Sequence, residues 1–215
     1  MPNPRRALLA FLVTLAACAS AGTDDRDLAT NPSLYQSPGY KSQLPPDRAV
    51  FVAPMLDQRR PPAIEAATGP SIVTHMPEGK WTRSLPVMID EVLRKELASS
   101  GVVAAVLPQA RNDALVIKPT LVVGACGAQE HVAGRRSFAE IGIKIVVLGP
   151  ADANGKRTPL HDHLYGHAQV SEIEMSPVPA PNLMGMTLRT TLAQLLAGID
   201  QSNVARSGVP LDADK

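Results

Sequence analysis

The sequence predicts an α+β fold, a single domain in which two helices pack on a largely antiparallel sheet in the order β-α-β-β-β-β-α. Two segments carry apolar residues at three- and four-residue spacing, which is the period of a one-sided helix. Several shorter segments are apolar runs or alternate apolar with polar residues, as strands do. Successive strands joined by short turns pair antiparallel, so we expect one largely antiparallel sheet. The apolar stripes of the two helices must be buried, and we expect them to pack on that sheet.

The first strand is predicted at residues 49–56, a short apolar run that we expect to be buried. Residues 61–79 contain proline and glycine without a clear apolar period, and they are predicted to form a long loop, either functional or mobile. An indole at the end of such a loop most often seals it onto the core. Trp81 is also a candidate partner-binding residue, together with Pro61 and Pro62.

A helix is predicted from Ser84, which can act as its N-cap, to about Ser100. Pro86 lies in the first turn and Gly101 is placed to end the helix. Its apolar stripe consists of Leu85, Met88, Ile89, Val92, Leu93 and Leu97.

Strands are predicted at residues 102–107 and 114–123, where Pro119 requires a bulge or an edge position because proline cannot donate to the ladder. Residues 141–172 form a predicted hairpin around turn-forming residues 152–155. A second helix follows Asn182, and the tail beyond Ser202 is expected to be loose. The stripe of this helix consists of Leu188, Leu192, Leu195, Leu196 and Ile199.

Three histidines of the hairpin form a weak candidate metal site. His161, His163 and His167 share the parity of one strand face, and the first two lie about 6.5 to 7 Å apart, which zinc could bridge. His167 would need a bulge to join them, or Glu140 or His131 could supply a third ligand. An exposed polar strand face explains the same pattern without metal, so we expect no metal and no other cofactor.

The amino terminus has the parts of a secretion signal. Arg5 and Arg6 form a positive region, and residues 7–16 form an apolar segment too short to span a bilayer. The following Leu-Ala-Ala-Cys, which ends at Cys18, resembles the bacterial lipobox. The resemblance implies removal of a signal peptide, residues 1–17, and acylation of Cys18, with an ordinary secretory signal as the alternative.

Composition suggests how the mature chain is organised. Residues 18–46 are predicted to be a lipidated cysteine and a flexible tether, because they have no sustained apolar period. Residues 47–202 form the predicted domain, and residues 203–215 a loose tail. If Cys18 is acylated, Cys126 has no disulfide partner and is expected to be a buried thiol.

Charge excludes one class of partner. Removal of the signal peptide takes away two arginines and no acid, leaving 19 basic and 20 acidic residues and a formal charge of −1. A nucleic-acid-binding protein needs a basic surface, so nucleic acid is not an expected partner.

A wider resemblance rests on three segments. They are residues 50–57, the tetrapeptide Trp-Thr-Arg-Ser at 81–84, and the predicted helix with its continuation into residues 99–103. Together they resemble the start of small envelope lipoproteins with the TolB amino-terminal-domain fold, including auxiliary lipoproteins of lipid-transport ABC systems. The resemblance covers about residues 47–200, and the long insertion after the first strand departs from the compact form.

These observations leave two hypotheses about function. The first is a non-catalytic adaptor of an envelope complex for lipid transport, secretion or cell-wall synthesis, with residues 61–81 as the contact. It would be held by its lipid at the outer membrane, facing the periplasm, and would bind a protein partner there. The alternative is a zinc-dependent periplasmic hydrolase that uses His161 and His163.

Overall fold

The computed structural model describes residues 25–60 and 72–206. Its strands are β1 (Val50–Val52), β2 (Leu56–Asp57), β3 (Ile72–His75), β4 (Val106–Leu107), β5 (Leu115–His131), β6 (Gly134–Ala151) and β7 (Arg157–Val170). Its helices are α1 (Leu85–Ser100) and α2 (Ala180–Gln201), and a 3-10 turn lies at Glu78–Lys80. The predicted α+β fold class is confirmed, with two helices on a mixed, largely antiparallel sheet.

The sheet is built around a meander of three long strands. Its order is β4-β1-β5-β6-β7, and β2 and β3 also pair with β5. The pairs β5–β6, β6–β7 and β3–β5 are antiparallel, whereas β1 runs parallel to β4 and β5. The predicted hairpin is confirmed, and its turn is closed by Asp152 Oδ1, which accepts hydrogen bonds from the backbone N–H groups of Asn154 and Lys156.

The region before α1 differs from the prediction. The expected first strand is divided into β1, which is buried at both ends, and β2, where Leu56 is exposed. The expected loop at residues 61–79 is wrong at residues 72–75, which form β3 against the far half of β5. Two apolar residues in four give too short a signal to distinguish a strand from a loop.

Helix α1 has the predicted bounds but a different cap. Ser84 occupies the N-cap position without a side-chain hydrogen bond, and Glu78 Oε1 instead accepts the Leu85 N–H at 2.9 Å. Gly101 ends the helix with φ of 70°, a left-handed conformation that suits glycine. All six residues of the predicted stripe are buried in the core.

Pro119 lies in the central strand β5 and is accommodated by a gap in its neighbour. Ile117 and Leu121 accept backbone hydrogen bonds from Ala53 and Gln58, so odd-numbered residues of this stretch direct their backbone groups toward β1 and β2. Pro119 therefore faces the break between those strands, where no ladder hydrogen bond is required.

A register shift between Leu121 and Val123 exchanges the two faces of β5. Before the shift, odd-numbered residues such as Ile117 lie in the core under the helices. After the shift, even-numbered Cys126 takes their place, opposite Ala139 of β6. The strand continues eight residues beyond its predicted end at residue 123.

Helix α2 begins at Ala180, so Asn182 lies inside its first turn rather than before it. Its predicted stripe is buried without exception. Thr187 and Thr191 are buried beside it, and each hydroxyl donates to the backbone carbonyl four residues earlier. These bonds satisfy the polar atoms that the interior would otherwise leave without partners.

The predicted flexible tether is wrong for residues 25–46, which pack on the domain. Leu28 belongs to the hydrophobic core, and Asp27 is buried with Arg83 Nε at 2.6 Å from its carboxylate. Hydrogen bonding to Arg83 lowers the pKa of Asp27. Farther along, the backbone carbonyl of Leu34 lies against Gly185 of α2, so any side chain at residue 185 would displace residues 25–46 from the helix.

Tyrosines of this segment bind to carboxylates of the two helices. The Tyr35 hydroxyl donates to Glu96 of α1 at 3.0 Å, and the Tyr40 hydroxyl donates to Asp200 of α2 at 2.8 Å. Asp200 also forms a partly buried ion pair with Arg206. The predicted loose tail is therefore wrong for residues 203–206, where Val204 and Ala205 also join the core.

We expect Leu97→Ala to lower the free energy of unfolding by about 2 to 4 kcal/mol, because it opens a cavity under α1. Chemical denaturation measures the loss. Val87→Ala on the same helix is the matched control, since Val87 is 52% exposed and its loss should cost about 0.5 kcal/mol or less. Equal losses at both positions would contradict the assigned faces.

Candidate functional site

The histidines lie on strand β7, which is an edge of the sheet among the described residues. In register they stand opposite isoleucines and a valine of β6 that are buried under the helices. The predicted shared face is therefore confirmed, because no register shift interrupts residues 161–170. Helix α2 covers part of this face, so the expected exposed strand face is exposed at His163 but only partly exposed at His161 and His167.

His161 and Tyr165 form the ordered part of this cluster. The His161 Nε2 atom and the Tyr165 hydroxyl share a hydrogen bond of 2.8 Å, and their rings are stacked. The His163 ring centroid lies 4.7 Å from that of Tyr165. Tyr165 is buried against Gly198 of α2. The tyrosine ring lies so close that residue 198 has no room for a side chain. Helix α2 thus fixes the tyrosine, and the tyrosine orients His161.

The hydrogen-bonded pair of His161 and Tyr165 is uncharged at neutral pH. Burial lowers the pKa of His161 below its ordinary value of 6.5, and the neighbouring His163 lowers it further. Burial also raises the pKa of Tyr165 to about 12. Neither group is therefore ionised at pH 7, and together they supply hydrogen-bonding groups rather than a charge.

The structure brings no metal-ligand set together. Among residues 25–60 and 72–206, no group of three or more His, Cys, Asp and Glu side chains is placed to hold a metal ion. Glu140 stands opposite Ala168, whose side chain lies on the other face of β7 from His167. His131 is at the far end of β5. The zinc-hydrolase hypothesis thus lacks a third ligand in the described part of the chain.

A groove runs between β7 and α2 beside this cluster. It encloses about 530 Å³ and is lined on the strand by His161 and Tyr165 and on the helix by Gln194 and Gln201. Its lining mixes polar and apolar groups and contains no lysine, arginine, aspartate or glutamate among the described residues. The groove opens along the outer edge of β7.

The outer edge of β7 offers backbone hydrogen-bonding groups. The Ser171 N–H donates to the backbone carbonyl of Ser137 in β6. The backbone groups of odd-numbered residues of β7 therefore point toward β6, and those of even-numbered residues point outward. The outward set is exposed throughout residues 162–170 and consists of Asp162, Leu164, Gly166, Ala168 and Val170. Proline, lysine and arginine, which commonly protect sheet edges, are missing between residues 160 and 170.

The other predicted site residues are placed as follows. Trp81 is only 6% exposed and packs in the core, as expected of an indole that seals the loop, so little of its surface is left for a partner. Pro61, Pro62 and Cys18 lie outside the described residues. His167 is half-buried on β7, opposite Ile141.

Cys126 is the buried thiol that the sequence predicts. It is 3% exposed, and burial raises its pKa to about 12. Its sulfur lies 3.9 Å from the Met76 sulfur. A thiol that is neutral and enclosed in this way is a poor nucleophile.

No helix among the described residues has both the length and the apolar character needed to cross a membrane. No protein-family model matches the chain, and no curated protein matches it.

Three solved structures are similar in part. A Xanthomonas campestris protein described by the family model DUF330 has 11% identity and a TM-score of 0.47, over 80% of this chain and 92% of that chain. A hypothetical protein from Chlamydia trachomatis has 13% identity and a TM-score of 0.45, over 74% and 99%. A lipoprotein from Neisseria meningitidis has 15% identity and a TM-score of 0.27, over 70% and 99%. At these values the similarities carry no argument about function, and the TolB-like resemblance stays a prediction.

We expect His161 to titrate below 6.5 in the folded protein, which ring-proton NMR measures directly. Because protonation is disfavoured in the fold, the stability that His161 contributes is complete above pH 6.5 and declines as the pH falls toward its folded pKa. His163→Gln should move the His161 pKa toward 6.5 without restoring it, since burial remains. A His161 pKa at or above 6.5 in the unsubstituted protein would contradict this account of the cluster.

Proposed function

We propose that this chain is a lipid-anchored envelope protein that acts, without catalysis of its own, as an adaptor in an envelope complex. We further propose that it holds its partner at the outer edge of β7. Within the described part of the chain this edge has no pairing strand, and that observation carries the proposal, because outward backbone groups recur at every second residue from Asp162 to Val170. Nine residues of strand span about 30 Å, enough for an added strand to pair along its length.

The partner segment that fits this edge is extended. Its backbone would continue the sheet beyond β7, and its alternate side chains would enter the groove beside α2. His161, Gln194 and Gln201 can exchange hydrogen bonds with uncharged polar side chains there. On the opposite face, exposed Leu164 and Val170 offer apolar contacts to the remaining side chains. Backbone pairing supplies affinity, and the groove supplies selectivity.

The anchor is supported by the sequence. A positive region, a short apolar segment and the lipobox-like residues before Cys18 fit the pattern of a lipoprotein precursor. Two or three acyl chains would hold the protein on a membrane persistently. We propose the outer membrane, facing the periplasm, as its location, and lipid transport, secretion or cell-wall synthesis as the pathway of its complex.

Cys18→Ser should abolish acylation and release the protein from the membrane or misplace it. Mass spectrometry of the mature amino terminus, with membrane fractionation, measures both effects. Cys126→Ser is the matched control and should remain acylated and membrane-bound, since that thiol is enclosed in the core. An unmodified mature terminus that begins elsewhere would remove the lipoprotein proposal.

Ala168→Pro should reduce recovery of the partner at least about tenfold, because it removes an outward N–H and places a ring on the edge. The β6–β7 ladder should survive, since Ala168 directs its backbone away from β6. Partner recovery is measured after crosslinking intact envelopes and purifying the acylated protein under gentle conditions.

Ala168→Ser is the control for this substitution, because it keeps the N–H group and the strand conformation. Thermal unfolding of both variants checks that the fold is retained. Equal partner recovery with Ala168→Pro and Ala168→Ser would place the interface away from the β7 edge. Recovery of no partner by the unsubstituted protein would remove the adaptor proposal itself.

A further inference from the structure

A cationic cleft lies at the end of the molecule where α2 begins. It encloses about 490 Å³ between β3, β5 and the segment that leads into α2. Arg26, Lys80 and Arg135 line it, and no aspartate or glutamate lines it among the described residues. The first turn of α2 closes one side, and its positive dipole end adds to the attraction for anions. The cleft therefore suits a negatively charged group.

Two of the three basic side chains of the cleft, those of Lys80 and Arg135, are accessible. Lys80 is exposed, and Arg135 pairs with Glu130 at 3.2 Å while both side chains stay about half exposed. Such surface pairs contribute little and exchange easily for another anion. The carboxylate of Glu130 borders the cleft and limits its net charge, so the attraction for an anion is moderate.

One exposed apolar side chain lines the cleft, and two others lie on the adjoining segments. Met175 lines it and is 92% exposed, and Val132 at the tip of the β5–β6 hairpin is fully exposed. The hairpin and the segment at residues 173–175 are in contact, because Arg135 and Glu174 exchange both backbone hydrogen bonds. Ile173 is exposed in the same segment. Cations and apolar tips on one surface are the composition of an interfacial membrane contact.

The predicted anchor is close to this surface in the chain. Arg26 lines the cleft, and its carbonyl accepts the Thr82 N–H at 3.3 Å, which fixes the segment there. Only residues 19–24 separate Cys18 from Asp25. Even fully extended, this connection spans about 25 Å, so acyl chains on Cys18 would keep the cleft near the headgroups.

We propose that this surface, defined by Arg26, Lys80, Arg135, Val132, Ile173 and Met175, lies directly on an anionic phospholipid membrane. The cleft takes headgroup phosphates, and the apolar tips enter the interface. This second contact rests on the proposed lipid anchor and fixes the orientation of the domain, with the cleft toward the bilayer.

Vesicle flotation tests the contact in the absence of the acyl chains. The mature chain, residues 18–215 with Cys18→Ser, is mixed with vesicles of phosphatidylcholine alone or of phosphatidylcholine with phosphatidylglycerol. Every core residue that the structure describes is present in residues 18–215, so we expect this chain to retain the fold. We expect flotation with the anionic vesicles only, and weaker flotation as ionic strength rises.

Lys80→Gln and Arg135→Gln should each weaken vesicle binding about fivefold, the usual contribution of one basic side chain near an anionic surface. Lys156→Gln is the matched control, because Lys156 is exposed in the turn at the other end of β6. Met175→Ser should also weaken binding without changing its salt dependence. Thermal unfolding of each variant checks that only the surface has changed.

Three results would overturn the proposal: equal flotation with neutral vesicles, no flotation with either, or the same loss for Lys156→Gln as for Lys80→Gln. Saturation of the cleft by inorganic phosphate, without vesicle binding, would assign it to a free anion and also overturn the membrane contact. Failure here is distinct from failure of the adaptor proposal, which is decided by acylation of Cys18 and by partner recovery.

Discussion

Burial of one sheet face under α1 and α2 is the interaction on which the other features depend. Ile143 and Ile145 of β6 are fully buried on that face, whereas Lys144 between them is exposed on the other. Because both helices lie on the same face of the sheet, residues 25–46 contact both of them and donate a hydrogen bond to a carboxylate on each. The edge strand β7 is covered only where α2 overhangs it, which creates the groove beside His161.

The sequence was most informative where one period continues without interruption. Both helix stripes and the β6–β7 hairpin were predicted because their apolar residues recur at a constant spacing. The far half of β5 was not predicted, because the register shift after Leu121 exchanges its faces and small or polar residues replace the apolar run. Strand β3 is too short to establish a period of its own, and its pairing to β5 is a long-range contact.

The candidate site was predictable in part for a similar reason. Strand parity brings His161 and His163 to one face, but parity does not tell whether a helix covers that face. Residues 25–46 looked like a tether because composition averages over many polar residues. Leu28, Tyr35 and Tyr40 are isolated in sequence, yet each finds a specific partner in the fold. The sequence does indicate an unprotected edge, because residues 160–170 contain no proline, lysine or arginine. That pattern can be interpreted only once β7 is known to be an edge strand.

The close approach of Leu34 to Gly185 has a consequence for the order of synthesis. A ribosome completes residues 25–46 long before it reaches α2, so this early segment cannot dock on α2 until that helix has been made. Until then the segment is accessible to the enzymes that would cleave and acylate the neighbouring terminus. Seating of Leu34 over Gly185 is therefore a late step of folding, and under the proposed acylation it would follow processing of the amino terminus.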